Sequence, residues 1–99
     1  MQVQDKTILV VEDEQDIRDL IHFHLNKEQY LVLLAKDGEE ALSIIKEKYI
    51  DLIILDLMLP KLSGIELCKI IKNSEKFKDT LILMATAKGE DGDIIKGLE

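Results

Sequence analysis

Three acidic residues lie where apolar segments end or are interrupted. Acids at such positions indicate a binding or reactive site rather than a role in packing. Glu12 and Asp13 directly follow the apolar run Ile8–Val11, and Asp56 lies inside the run Leu52–Leu59. An acid inside a run of this kind has no packing role, because burial of an unpaired charge is costly. Asp56 is therefore the strongest indication of a functional site in this sequence.

Carboxylates that converge at one place repel one another strongly. Two unit charges about 4 Å apart repel by about 4 kcal/mol at an effective dielectric constant of about 20. Such a cluster takes up a proton or binds a divalent cation, and oxygen ligands favour Mg²⁺, Mn²⁺ or Ca²⁺ over softer metals. A bound Mg²⁺ keeps positions open for phosphate oxygens, so that an adjacent aspartate is able to act as a nucleophile and form an acyl phosphate. Thr86, close to the end of a later apolar run, adds a hydroxyl that could donate a hydrogen bond to a phosphoryl oxygen.

The acidic residues around Glu12 also have a purely structural interpretation. They surround a predicted helix start, where each acid stabilises the helix dipole by about 0.3–1 kcal/mol. The residues concerned are Glu12, Asp13, Glu14, Asp16 and Asp19. For an isolated acidic triplet this interpretation is the commoner one, whereas the additional presence of Asp56 and Thr86 favours a functional site.

The elements that would position these side chains follow from the pattern of apolar residues. Four short apolar runs are continuous rather than alternating, which is typical of strands buried on both faces of a parallel sheet. They are Ile8–Val11, Leu31–Ala35, Leu52–Leu57 and Leu81–Ala87. Between and after them, four segments show helical spacing. Their inner faces are predicted to carry Ile17, Leu20, Ile21, His24 and Leu25, then Ala41, Leu42 and Ile45, then Leu67, Cys68 and Ile71, and finally, in a helix that begins near Glu90, Ile94, Ile95 and Leu98.

The resulting order β-α-β-α-β-α-β-α predicts an α/β fold with an open, doubly wound parallel sheet, because the crossover connections between parallel strands are right-handed. Open sheets of this kind bind ligands beyond the carboxyl ends of their strands, at the point where the strand order reverses. All the carboxyl ends lie at one edge of a parallel sheet. The acids Glu12, Asp13 and Asp56 are therefore expected to come within a few ångströms of one another there.

The amino-acid composition is that of a small, acidic, folded domain. The chain has 99 residues, a mass of 11.3 kDa and 46% hydrophobic residues, which suits a single folded domain. Its 13 basic and 20 acidic residues give a net charge of −7, which argues against binding of nucleic acid or anionic lipid by this domain. A single cysteine excludes a disulfide framework, and the polar N-terminus and short apolar runs predict neither a signal peptide nor a membrane span. We expect a cytoplasmic protein.

Several motifs, in this order and spacing, resemble the receiver domains of two-component response regulators. They are Ile8–Glu14, Asp37–Leu42, Asp51–Pro60 followed by Ser63-Gly64, and Thr86–Gly89. The resemblance covers essentially the whole chain and is strongest to the subfamily with a winged-helix DNA-binding output domain. It implies a flavodoxin-like, doubly wound parallel sheet with strand order 2-1-3-4. It also identifies residues 1–99 as one receiver domain truncated after the fourth helix, without the fifth strand and fifth helix of the family.

The resemblance implies roles for individual residues of this sequence. Asp56 would accept a phosphoryl group from the phosphohistidine of a sensor histidine kinase or from a small acyl phosphate. Asp13 and Asp56 would bind Mg²⁺ directly, and Glu12 would bind it through water. The main-chain carbonyl of Met58 would complete the protein ligands, and Thr86 would move toward the phosphoryl group. The activity implied is self-phosphorylation in the regulation of transcription rather than turnover of a substrate, with DNA bound by an output domain and not by this one.

One functional position of the family has no counterpart in these 99 residues. The family places a lysine at the end of the fifth strand, where it pairs with the acyl phosphate. Loss of a charge-assisted hydrogen bond costs about 1.5–3 kcal/mol, so we expect phosphorylation to survive weakly and signalling to be impaired. Without a fifth strand, the fourth strand is expected to be an open sheet edge, and this favours a homodimer or a domain-swapped oligomer.

Three other interpretations stay open on the sequence alone. The chain could be an inert or engineered receiver fragment that self-associates without phosphotransfer; the missing lysine favours this interpretation and the intact acids oppose it. Phosphatases of the haloacid dehalogenase type also use an aspartate nucleophile, but they carry a second acid two residues later, where this chain has Met58. A flavin or nucleotide site is the weakest of the three, because no glycine-rich loop follows the first strand.

Overall fold

The four parallel strands and the first three helices lie where the apolar pattern predicts them. The computed structural model describes residues 6–56, 63–85 and 95–96. In chain order the elements are β1 (Thr7–Val11), α1 (Gln15–Lys27), β2 (Leu31–Ala35), α2 (Gly38–Glu47), β3 (Leu52–Asp56), α3 (Gly64–Lys72), a single 3₁₀ turn (Glu75–Phe77), β4 (Leu81–Ala85) and β5 (Ile95–Lys96). None of the described helices is long and apolar enough to span a membrane.

The sheet has the strand order β2-β1-β3-β4-β5, and its first four strands along the chain are parallel. The order 2-1-3-4 predicted for the parallel strands is confirmed. The chain adds β2 on one side of β1 and then crosses to the other side for β3, so the strand order reverses between β1 and β3. In register, Val11 pairs with Leu55, and Asp56 pairs with Ala85. The carboxyl ends of β1, β3 and β4 therefore lie side by side.

The outer side of β4 differs from the sequence prediction. The apolar spacing predicts a fourth helix through Ile95, whereas Ile95–Lys96 form a two-residue strand that pairs antiparallel with Met84 and Ala85. The edge of β4 presents backbone N–H and C=O groups, and a short extended segment satisfies them. The predicted helix contains two glycines, each of which costs about 1 kcal/mol in a helix interior. The prediction of a helix at Ile95 is therefore wrong, and β4 has edge partners at two residues where an open edge is predicted.

The larger part of the core lies between the sheet and the pair α2 and α3. Alternate side chains of the central strands point to this face, in accordance with the two-residue period of a strand. The buried residues there are Leu9, Val11, Ile53, Leu55, Ile82 and Met84 from the sheet, and Ala41, Ile45, Leu67 and Ile71 from the helices. Ile8 and Val10 are also buried, on the opposite face, where α1 packs.

α1 covers its face of the sheet only in part. All thirteen of its residues are described, and none is fully buried. The partly buried stripe runs through Ile17, Ile21 and Leu25 at four-residue spacing. Leu20 and His24 are predicted on the inner face but are exposed, Leu20 by 57%, so that prediction is wrong. The stripe is narrow because α1 is the only described helix on this face and has no neighbouring helix to pack against.

Side-chain caps fix the starts of α2 and α3. The Asp37 carboxylate accepts the backbone N–H of Glu40 at 2.8 Å, and the Glu40 carboxylate accepts that of Lys36 at 2.7 Å. At α3, the Ser63 hydroxyl accepts the backbone N–H of Glu66 at 3.1 Å and the Glu66 carboxylate accepts that of Ser63 at 3.3 Å, which is a capping box. In both helices the N-cap side chain thus satisfies a backbone N–H of the first turn that has no partner within the helix. As a result, α2 begins only three residues after β2 ends.

The end of α1 places a non-glycine residue in the left-handed conformation. Gln29 has a φ of 70°. Its N–H donates to the carbonyl of Asn26 at 2.9 Å, and the N–H of Tyr30 donates to the carbonyl of Leu25 at 3.4 Å. This is the hydrogen-bond pattern of a Schellman motif, in which glycine is the preferred left-handed residue because a Cβ crowds the backbone there.

Gln29→Gly is expected to stabilise the fold by about 0.5–1 kcal/mol, because glycine adopts the left-handed conformation without steric crowding. Urea unfolding followed by circular dichroism measures the free energy of unfolding. Gln29→Ala is the matched control, since it shortens the side chain but keeps the Cβ, and its free energy of unfolding should stay close to that of the wild type. Equal stabilisation by both substitutions would contradict this explanation.

Candidate functional site

Glu12, Asp13 and Asp56 come together at the carboxyl edge of the sheet. One carboxylate oxygen of each lies within 4.8 Å of the corresponding oxygens of the other two. The backbone accounts for this meeting, because Glu12 and Asp13 directly follow β1, Asp56 is the last residue of β3, and the two strands are neighbours. The convergence that the strand pattern predicts is present in the fold.

Two of the three carboxylates are removed from solvent. Glu12 and Asp56 are each only 5% exposed, whereas Asp13 is the most exposed of the three. A small cavity of about 80 Å³ adjoins the two buried acids. Its other walls are aliphatic and come from α1 and the sheet: Val10, Val11, Ile17, Ile21, Ile54 and Leu55. One side of the buried pair therefore faces hydrocarbon.

Burial raises the pKa of Glu12 from its ordinary value of 4.5 to about 7. The negative charge of Asp56 and a hydrogen bond with its carboxylate add to this rise in pKa, and the charge of Asp13 adds a smaller part. The backbone N–H of Glu14 opposes the rise by donating to Oε2 of Glu12 at 3.0 Å. Near neutral pH the cluster thus holds a proton for a large share of the time. This is one of the two ways in which converging carboxylates relieve their repulsion.

The same geometry suits a divalent cation as the alternative to that proton. Carboxylate oxygens are the ligands that Mg²⁺, Mn²⁺ and Ca²⁺ prefer. Within the described ranges, this is the one group of three or more His, Cys, Asp or Glu side chains whose ligand atoms meet. The cluster is therefore a candidate cation site, and binding there would release the proton held by Glu12.

Arg18 is a residue of this site that the pattern of acids does not reveal. Its guanidinium Nη1 donates to the main-chain carbonyl of Glu12 at 2.9 Å and, more weakly, to that of Asp13 at 3.4 Å. The sequence does contain a signal for it. Arg18 is a basic residue near the start of α1, where the helix dipole favours acids, so it needs a specific partner to offset that unfavourable position.

The other two predicted site residues, Met58 and Thr86, lie outside the described residues. Their roles in cation binding and phosphoryl recognition stay predictions. Ala85, the residue before Thr86 in the sequence, pairs in register with Asp56. The backbone of β4 therefore ends beside the acid cluster.

Comparison with known proteins points to one family. The family model of the response regulator receiver domain matches residues 8–99. The alkaline phosphatase synthesis transcriptional regulatory protein PhoP of Bacillus subtilis is 47% identical over 95 residues, which are 96% of this chain and 39% of that protein. The phosphate regulon transcriptional regulatory protein PhoB of Pseudomonas aeruginosa is 46% identical over 94 residues, 95% of this chain and 41% of that protein. The chain thus spans about two fifths of the length of the curated relatives it matches.

Solved structures agree with the sequence comparison. The chemotaxis response regulator CheY4 of Vibrio cholerae matches with a TM-score of 0.81 at 33% identity, over 86% of this chain and 71% of that one. The response regulator TrrA of Thermotoga maritima, solved in complex with Mg²⁺ and BeF, matches with a TM-score of 0.77 at 42% identity, over 85% of this chain and 71% of that one. Fold and sequence indicate the same family, which disfavours the phosphatase and nucleotide-binding interpretations.

The raised pKa of Glu12 predicts a pH-dependent stability. The folded state holds the Glu12 proton more tightly than the unfolded state, so the free energy of unfolding falls as the pH rises from about 4.5 through about 7. Without divalent cations, the wild type is expected to lose up to about 3 kcal/mol over this range through Glu12. Glu12→Gln removes this loss because an amide does not ionise. Urea unfolding at about pH 5 and about pH 8 measures the difference.

Glu14→Gln is the matched control for that experiment. Glu14 is an exposed acid two residues away, and it contacts Glu12 through its backbone N–H, which the substitution leaves in place. This variant should keep the pH dependence of the wild type. The same pH dependence in wild type and Glu12→Gln would show that Glu12 is ionised throughout the range, contrary to the prediction.

Proposed function

The chain belongs to the family of response regulator receiver domains, and from that membership we propose that Asp56 accepts a phosphoryl group at a site where Glu12 and Asp13 help to bind Mg²⁺. One observation carries the proposal: carboxylate oxygens of these three residues lie within 4.8 Å of one another at the point where the strand order reverses. The solved complex of the relative TrrA with Mg²⁺ and BeF supports it.

The residues present fit a magnesium ion. Mg²⁺ takes oxygen ligands and is usually bound through one or two carboxylates while it retains several waters. Asp13 and Asp56 would bind it directly, with Glu12 acting through water. The main-chain carbonyl of Met58 would be the remaining protein ligand. When bound, Mg²⁺ would neutralise the charge that gathers on the phosphoryl oxygens during transfer.

The place of Asp56 in the fold suits it to the nucleophilic role. It is the last residue of β3, its backbone pairs in register with Ala85, and it is only 5% exposed. In the proposed step, a carboxylate oxygen of Asp56 attacks the phosphorus of a phosphohistidine, the P–N bond breaks, and the imidazole leaves with the electron pair. The product is the mixed anhydride of Asp56 and phosphoric acid. Phosphoryl transfer of this kind depends on positioning, to which a rigid strand end contributes, and on charge neutralisation, which Mg²⁺ would supply.

Thr86 is proposed to report the modification. It directly follows Ala85, the residue in register with Asp56. Its hydroxyl would donate a hydrogen bond to a phosphoryl oxygen on Asp56. Movement of Thr86 toward that group would change the protein surface around the end of β4.

The phosphoryl donor and the output belong to the same proposal. We propose a sensor histidine kinase as donor and regulated transcription as output, because the curated relatives are transcriptional regulatory proteins. The cytoplasm is the compartment in which this exchange would take place. The net charge of −7 argues against DNA binding by these 99 residues themselves. Self-association and impaired signalling stay predictions.

Incubation with Mg²⁺ and acetyl phosphate tests the proposed phosphotransfer. The wild-type chain is expected to gain one phosphoryl group in its intact mass, and Asp56→Asn is expected to gain none, because it lacks the nucleophilic carboxylate. Asp79→Asn is the matched control. It removes an exposed aspartate just before β4, at the opposite edge of the sheet, and should be phosphorylated like the wild type.

EDTA is expected to abolish the mass gain, because the phosphoryl charge would then meet three carboxylates without a cation. A phosphoryl group on Asp56→Asn, or an equal yield with and without EDTA, would contradict the assignment of the site. A folded wild-type protein that gains no phosphoryl group would contradict phosphotransfer by this chain and leave its family membership unchanged.

A further inference from the structure

We infer that Arg18 is a positioning residue for the cation site: its guanidinium holds the main-chain segment that carries Glu12 and Asp13, and so sets how tightly their carboxylates bind a divalent cation. The inference rests on the proposed function, since it concerns the cation site of that function. Arg18 is anchored by α1 and, among the described residues, its side chain donates to main-chain oxygens of the acidic segment.

The contacts of Arg18 are specific. Nη1 donates to the carbonyl of Glu12 at 2.9 Å and to that of Asp13 at 3.4 Å. The side chain is half-buried, and the backbone N–H of Arg18 donates to the carbonyl of Glu14 at 2.9 Å. One residue therefore ties both successive peptide groups of the acidic segment to the first turn of α1.

The two carbonyls lie where the regular structure stops. The parallel pairing of β1 with β3 ends at Val11, and the helical hydrogen bonds of α1 begin at the carbonyl of Glu14. The carbonyls of Glu12 and Asp13 lie between these two ladders. A guanidinium carries several N–H donors in a fixed geometry, so it is able to bond both carbonyls at once.

The consequence for cation binding is geometric. Rotation of the two peptide groups would turn the carboxylates of Glu12 and Asp13 away from Asp56, and their mutual repulsion drives such a rotation. Hydrogen bonds from Arg18 oppose it, so the carboxylate oxygens stay within the 4.8 Å that a single ion can bridge. Outer partners that orient metal ligands typically change metal affinity by about tenfold or more when they are removed.

The charge of Arg18 acts in the opposite direction, which makes the inference sharply testable. A guanidinium repels a divalent cation nearby, so an arginine that acted through charge alone would weaken cation binding, and its removal would strengthen binding. An arginine that acts by positioning strengthens cation binding, so its removal would weaken binding. A merely structural arginine would change the free energy of unfolding without a change in cation affinity.

The test uses Arg18→Met, which removes all donors and keeps the length and helix propensity of the side chain, and Arg18→Lys, which keeps the charge with a smaller head group. Mn²⁺ serves as the probe, titrated without any phosphoryl donor and followed by the electron paramagnetic resonance signal of the free ion. Both variants are expected to bind Mn²⁺ more weakly, Arg18→Met by about tenfold and Arg18→Lys by less. Lys27→Met, which removes an exposed positive charge at the other end of α1, should bind like the wild type.

Phosphorylation by acetyl phosphate gives a second measurement. In Arg18→Met, the Mg²⁺ concentration that gives half the maximal rate is expected to rise about tenfold, while the rate at saturating Mg²⁺ changes by less than about twofold. Such a split separates cation binding from the transfer step. Urea unfolding of each variant shows that the measurements refer to folded protein, and Arg18→Lys decides the question if Arg18→Met does not fold.

Unchanged or tighter Mn²⁺ binding by a folded Arg18→Lys or Arg18→Met variant would overturn the inference. Loss of stability with unchanged affinity would assign Arg18 a structural role only. Failure of the proposed function is distinguishable from either result: a wild-type protein that binds Mn²⁺ but gains no phosphoryl group would contradict phosphotransfer, while weaker Mn²⁺ binding by the variants would still support positioning by Arg18.

Discussion

Repulsion among carboxylates at the edge of a rigid sheet is the constraint on which the rest of this structure depends. Parallel pairing puts the end of β1 beside the end of β3, and the packed core under α2 and α3 keeps the strands in that register. A slip of one residue would carry every buried side chain of a strand to the wrong face, so the chain has no freedom to separate Glu12 from Asp56 by moving a strand. A proton or a cation relieves this repulsion, because both are small enough to enter the cluster.

The two faces of the sheet contribute to this constraint in different ways. The α2 and α3 face supplies rigidity, because its core residues are almost completely buried. The α1 face supplies the hydrocarbon that desolvates the acids, through Ile17 and Ile21 beside the small cavity. α1 itself buries no residue completely, and the Arg18 hydrogen bonds tie its first turn to the acidic segment. A loosely packed helix thus has a firm polar attachment at the site.

Features with a strong local signal could be predicted from the sequence, and features that depend on the tertiary environment could not. Continuous apolar runs indicate buried parallel strands, and Asp56 stands out because it interrupts one of them. Helical spacing identifies the apolar side of α1 but does not show how much of that side is buried. For this reason the spacing predicts Leu20 and His24 on the inner face, although both are exposed. The strand at Ile95 depends on the backbone partners that β4 offers, and the role of Arg18 depends on two carbonyls between regular elements. Neither condition leaves a periodic pattern in the chain.

Folding stability and cation affinity are opposed through one group, Glu12. Its pKa of about 7, raised mainly by burial, means that loss of the Glu12 proton lowers the stability of the cation-free fold. A cation that enters the cluster meets ligands already brought together by the sheet, so the free energy that repulsion removes from folding is returned in binding. This exchange requires that the carboxylates do not relieve their repulsion by turning apart. If Arg18 has the proposed positioning role, its hydrogen bonds to two successive carbonyls keep the segment after β1 stiff, and the repulsion would then favour binding of a cation.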